Sequence, residues 1–309
     1  LLLSRRQGII ASGKIGSAAE ITGDGGPVEL NISPALCPDE AIPLQRAEGE
    51  VRIGFKTRGS TTHFASLYQS GCAKARFPRV PGNGCEAVLI NTAGGLTDGD
   101  VLQNDIVWEK GAKAVVTTQA CERIYRSRLA PAKILTRLTV HEDAHAFWLP
   151  QETILFNSSR SERRMHVDLR SNARFTGCES VILGRPAMGE TVEAGSIRDF
   201  WHVERDGKPI FIDRFAIDGA LNAHFRKSAI GNGATAWATV VHAAPDAEII
   251  RDQARELLEA VDIAGGCTDL GGLMVARLLA DDGFLLRKAL VALLELLCGS
   301  GYLPRSWTC

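Results

Sequence analysis

The sequence predicts a mainly β fold with two α-helices near the C-terminus, and three observations carry that prediction. From Glu50 onward the chain is a succession of short apolar or alternating runs separated by Gly, Asn, Asp and Pro, the texture of strands joined by tight turns. Its 31 Gly stand against only three Tyr and three Met, and glycine supplies the backbone conformations that many tight turns require. Helical spacing of apolar residues appears only after Pro245.

Taken in order, residues 1–48 are Gly-rich, Pro-punctuated and without sustained periodicity. They read as a poorly ordered or peripheral extension, leaving 49–309 as a single β-rich domain. Strands are expected at 51–56, 87–90, 105–108, 114–118, 133–140, 145–149, 167–169, 180–183 and 234–242. Asp206-Gly207 is a two-residue hairpin signal between FWHVER and KPIFIDRF. That turn predicts Val203 opposite Ile210 and Trp201 opposite Ile212, an apolar face on both strands. After Pro245-Asp246, residues Ile250, Ala254, Leu257, Leu258 and Val261 recur at helical spacing, with Gly265-Gly266 as the stop. A second helix is expected from about Asp282 to Leu297, with Leu286, Leu290, Leu293, Leu294 and Leu297 on one wide face. That face covers one side of the sheet, with docking onto a partner as the sharper reading.

Composition excludes several classes. With 309 residues and 45% hydrophobic content the chain can bury a full core. A net charge of −1, from 35 basic and 36 acidic residues, provides no field for a phosphate backbone or an anionic lipid surface. Nucleic acid is therefore not an expected partner. The eight cysteines, at Cys37, Cys72, Cys85, Cys121, Cys178, Cys267, Cys298 and Cys309, contain no C-x-x-C pair and are too dilute for a disulfide framework. Reduced thiols fit them. Ser4-Arg5-Arg6 resembles a twin-arginine start, but no export-length apolar stretch follows it, and no run reaches membrane-spanning length. A cytoplasmic protein is expected, with no membrane partner.

Few motifs carry chemistry. His141-Glu142-Asp143-Ala144-His145 matches H-E-x-x-H, which binds zinc when a helix places both imidazoles on one face. Here ILTRLTV before it and AFWLP after it read as strands, so a solvated hairpin turn is the expectation. The stretch Asn91 to Asp100 is Gly-rich but lacks the Gly-Lys-Ser/Thr ending of a phosphate cradle and reads as a sharp turn. Asp98 and Asp100 lack the further oxygen ligands of an EF-hand. No serine stands in a G-x-S-x-G elbow, and no catalytic residue is assigned.

Four blocks, NTAGGLTDGD at 91–100, TTQACERIYRS at 117–127, WLPQETILF at 148–156 and CESVILGRPAMGE at 178–190, in that order and spacing, resemble the urease accessory protein UreD (UreH) family. The resemblance extends from about Glu50 to Arg305 and includes YQSGCAKARFPR at 68–79 and the ending GYLPRSW. It implies a helix-like winding of short-stranded sheets with two α-helices. It also implies a non-catalytic scaffold that binds apo-urease together with the UreF and UreG accessory proteins and assists nickel insertion, by way of an internal passage. No cofactor is expected to be tightly bound, and nickel is expected only in transit. A passing ion needs ligands that release it, so carboxylates and hydroxyls suit the role better than a closed Cys/His cage. Within the blocks, Asp100, Thr118, Glu152, Glu179 and Glu190 are the candidates for that passage or for partner contact. Gly94, Gly95, Gly99, Gln119, Glu122, Tyr125, Arg126, Pro150, Gly184, Arg185 and Gly189 are expected to serve the fold, with Arg185 available to pair with Glu190. A zinc-dependent hydrolase built on 141–145, or a β-rich binding module, stands as the alternative.

Overall fold

The computed structural model describes residues 45–79, 84–185, 188–261, 263–299 and 302–308. Most of the expected extension, residues 1–44, lies outside the described residues. Seventeen strands and four helices follow one another within them. The strands are β1 Glu48–Arg58, β2 Thr61–Gly71, β3 Ala73–Arg76, β4 Cys85–Asn91, β5 Val101–Trp108, β6 Lys113–Thr118, β7 Glu122–Ile124, β8 Ala132–Val140 and β9 His145–Leu149. They continue with β10 Thr153–Leu155, β11 Ser159–Leu169, β12 Arg174–Leu183, β13 Gly195–Arg205, β14 Lys208–Gly219, β15 Ala236–Ala243, β16 Ala264–Asp269 and β17 Leu273–Ala280. The helices are α1 Leu221–Phe225, α2 Ala247–Ala260, α3 Gly283–Cys298 and α4 Arg305–Thr308.

Between β4 and β13 the chain alternates between two sheets. The seven-stranded sheet runs β14-β13-β11-β8-β5-β1-β2; the larger sheet runs β16-β17-β15-β12-β9-β6-β4-β3, with β10 and β7 attached beside β12. Within each sheet the successive coil strands are parallel. In the larger sheet Cys85 pairs with Ala114, Lys113 with His145 and His145 with Arg174, steps of 29, 32 and 29 residues. The middle of the molecule is therefore a solenoid, a mainly β winding of sheets, as the resemblance implies. Antiparallel strands β2, β14, β3 and β15 flank the parallel strands.

Burial explains the two strand textures in the sequence. The seven-stranded sheet has one face on the core and one toward solvent, so β11 alternates strictly, with Ser161, Arg163, Met165 and Val167 inward and their neighbours outward. The larger sheet is covered on both faces, and every residue of β15 is buried. Its inner face joins Phe55, Trp108, Leu138, Val167, Phe175 and Trp201 in the core between the sheets. Its outer face packs Val115, Phe147, Leu149 and Val240 against α2 and α3.

Both long helices lie where helical spacing placed them. Asp282 caps α3 by accepting from the Leu285 amide at 2.8 Å. Leu286, Leu290, Leu293, Leu294 and Leu297 are all buried against the larger sheet. The leucine face is thus core of this chain, not a partner surface; exposed apolar side chains on α3 are Phe284 and Leu285, at its first turn. Gly265-Gly266 belongs to β16 and does not stop α2, which ends at Ala260.

The Asp206-Gly207 turn forms with both residues at positive φ, 50° and 74°, as an Asp-Gly hairpin requires. Its register differs from expectation by one residue. Glu204 pairs with Pro209, but Val203 pairs with Phe211 and Trp201 with Asp213, because a bulge leaves Ile210 as the extra residue. Ile212 consequently faces solvent opposite His202, and Phe211 turns its ring edge to Trp201.

Candidate functional site

The four blocks fall on the same flank of successive coils. Leu96 of the first bridges Ile124 of the second, β7 pairs with β10 of the third, and β10 pairs with β12 of the fourth. Side chains link these levels. The Asn91 amide donates to Glu122 at 3.1 Å, the Tyr125 hydroxyl to the Gly94 carbonyl at 3.3 Å, and the Gln151 amide to Thr118 Oγ1 at 2.9 Å. Tyr125 meets Phe156 edge-on, and the Arg185 guanidinium lies over the same Phe156 ring. Gly95 shows why a side chain is barred there: a Cβ would stand 2.3 Å from the Tyr125 ring.

Beneath this flank is a cavity of about 190 Å³. Thr118, Gln119, Cys121, Glu122, Pro150, Thr153, Arg163 and Glu179 are among its lining residues. Its polar centre is Arg163 of β11, which is 5% exposed. Arg163 Nη1 donates to Glu179 Oε2 at 2.7 Å and to Thr153 Oγ1 at 3.1 Å, while Nη2 pairs with Asp199 of β13. The indole of Trp148 donates to the other Glu179 oxygen at 2.9 Å. Burial works to lower the Arg163 pKa, but Asp199 and Glu179 outweigh it and the net direction is upward. Glu179 is pushed up, by burial first and by the neighbouring Asp199 against the pull of Arg163. One guanidinium between two carboxylates leaves an excess negative charge in a low-dielectric interior. Glu122, at the Asn91 side of the same cavity, is pushed up by burial to about 7. The exposed Arg123 and half-buried Lys74 lie on its solvent side.

The other expected residues serve different places. Asp100 is saturated by backbone, accepting from Ala47 N at 2.8 Å and Thr97 N at 2.7 Å. Asp98 likewise accepts from Leu129 and Ala130 amides. Glu152, 3% exposed, lies on the helix side of the larger sheet. Arg287 of α3 reaches both its oxygens, at 2.8 and 3.1 Å, and also bonds Gln151 and the Ser306 carbonyl. Cys121 donates to Glu152 at 3.4 Å, and burial pushes its thiol up to about 11. Glu190 pairs with Arg185 at 2.8 Å and accepts from Asn157 N at 3.2 Å. Of the five passage candidates, the fold brings Thr118 and Glu179 to the cavity, though both also make structural hydrogen bonds, and places Asp100, Glu152 and Glu190 in structural bonds away from it. Among the fold-serving residues, Gly94, Gln119, Glu122 and Pro150 line the cavity. Gly99, Gly184 and Gly189 take positive φ at turns, and Arg126 bridges Ser159.

Residues 141–145 form neither a helix nor a hairpin turn. They make a corner between β8 in one sheet and β9 in the other. Glu142 pairs with Lys110 at the surface, and His145 stacks on Phe147 at a centroid distance of 4.0 Å. Burial, reinforced by Lys113, pushes the His145 pKa down to about 3.

The family model for the UreD urease accessory protein matches residues 47–308. This chain belongs to the UreD family. Urease accessory protein UreD of Chelativorans sp. (strain BNC1) is 44% identical over 268 residues, covering 86% of this chain and 95% of that protein. The UreD proteins of Sinorhizobium medicae (strain WSM419) and Brucella suis (strain ATCC 23445 / NCTC 10510) are 41% and 40% identical, covering 87% and 86% of this chain and 98% and 96% of their own lengths. The stretch shared with the UreD family takes in both the solenoid and the C-terminal helices. Among the described residues no helix is long and apolar enough to cross a membrane.

Proposed function

We propose that this chain is a non-catalytic scaffold of urease maturation, cytoplasmic, which binds apo-urease together with the UreF and UreG accessory proteins and assists nickel insertion. Family membership supports the accessory role. The observation that carries the finer reading is the cavity lined by Thr118, Glu122 and Glu179, where Glu179 shares the guanidinium of Arg163 with Asp199. Thr118, Glu122 and Glu179 offer a divalent cation oxygen ligands within a largely apolar cavity and, without a closed Cys/His cage, release it. Thr118, Glu122 and Glu179 are the groups a passing ion would meet. The hydrolase alternative lacks support in the 141–145 corner, where Glu142 is engaged by Lys110 and His145 is packed on Phe147.

Affinity capture of the tagged chain from a urease-producing cell, followed by mass spectrometry, tests the partner reading. Recovery of urease subunits with the other accessory proteins is expected. Capture that enriches none of them contradicts it.

A further inference from the structure

We propose that His166, His202 and Glu204 form a binding site for one first-row divalent transition ion on the outer face of the seven-stranded sheet. Strands β11 and β13 run parallel with His166 opposite His202 and Asp168 opposite Glu204. Alternation along each strand puts all four side chains on the same, solvent-side face. The sheet itself separates them from the Arg163 cavity, so the site does not rest on the nickel-passage reading.

One ligand atom from each of His166, His202 and Glu204 lies within 4.8 Å of the others. Glu204 Oε1 is 3.5 Å from His166 Nε2, and Oε2 is 3.9 Å from His202 Nε2. Bonds of about 2.0–2.1 Å to a tetrahedral ion set ligand atoms about 3.3 Å apart, so the two carboxylate oxygens stand roughly 0.2 and 0.6 Å beyond that spacing from the two rings. One polar atom here is otherwise unexplained: His202 Nε2 is buried and has no hydrogen-bond partner, which a bound ion would supply. Arg137, the register partner of His166 on β8, has its guanidinium 3.9 Å from Asp105 on β5, on the far side from the cluster. Two imidazoles with one carboxylate and an open position select a zinc- or cobalt-type ion over magnesium or calcium, which prefer all-oxygen sites.

The test is titration of the full chain with Zn2+ against a competing chelator, and with Co2+ followed by visible absorption and X-ray absorption. One equivalent should bind at micromolar affinity with two imidazole nitrogens and no sulfur coordinated. His166→Ala and His202→Ala should each weaken binding about tenfold or more. Glu204→Gln, a near-isostere that keeps the fold, should weaken it as well, so the test survives if an alanine variant fails to fold. Thiolate coordination overturns the site, as does wild-type affinity in the folded His166→Ala/His202→Ala double variant or in Glu204→Gln. Wild-type binding weaker than millimolar overturns it too.

Discussion

Among the described residues, Arg163 is the cation that bonds both Glu179 and Asp199, and Thr153 completes its bonding. Arg163→Met keeps most of the volume but leaves two buried carboxylates without a cation. A loss of about 3–5 kcal/mol is expected, read as a lower urea midpoint at unchanged slope. Glu122 gives a pH signature. Its folded pKa, about 7, lies above the ordinary value of about 4.5 for a glutamate, so the folded state holds a proton that the unfolded chain has released. That contribution is fully present below about 4.5 and is lost as pH rises through about 7. Glu122→Gln mimics the protonated form, and its stability relative to wild type should rise by on the order of 1–3 kcal/mol between pH 5 and pH 8. Melting curves of both proteins across that range measure it, and the subtraction cancels His145, whose contribution has the opposite sign. The sequence offered a signal for Arg163 and Asp199: each is a charge in phase with inward residues, Met165 and Val167 on one strand and Trp201 and Val203 on the other. It offered none for which oppositely charged partner each would meet, since those partners come from different coils.

At the scale of elements, Arg287 and Glu152 join α3 and the chain end to the solenoid, and Trp307 adds a bond from its indole to the Leu149 carbonyl at 3.0 Å. Glu152→Ala removes the carboxylate from Arg287, which keeps its bonds to Gln151 and the Ser306 carbonyl; it should cost about 1–3 kcal/mol and increase proteolysis within α3 and after it. The same substitution leaves the Arg163 cavity intact, which separates the two carboxylates experimentally. In the 141–145 corner, His145→Ala should destabilise by about 1–3 kcal/mol through its lost stacking on Phe147, and His141→Ala by much less; thermal unfolding of the pair measures the difference. Element type was legible from local pattern, as α2, α3 and the Asp206-Gly207 turn show. Register was not, because the bulge at Ile210 depends on how the edge strand twists against β13. The leucine face of α3 was equally visible, but what it covers is a property of the larger sheet.

For the molecule as a whole, the stepped pairing of the coils turns four separate sequence blocks into one flank over one cavity. The coil carries no repeated motif, so its winding is invisible to periodicity and entered only through resemblance. The blocks themselves were legible, whereas the division of their acids into cavity-lining and fold-holding groups was not. Under the proposed function, that division would make Glu179 an ion ligand in transfer while Glu152 serves the fold. Glu179→Gln retains the side-chain shape and one acceptor oxygen, enough for Arg163 or for Trp148 but not both, and removes a charge. The decisive measurement is the nickel content of urease matured with Glu179→Gln, alongside recovery of the urease–accessory complex from the same cells. A normal yield of complex with urease depleted in nickel is the expected result; a normal yield with full nickel content would contradict it.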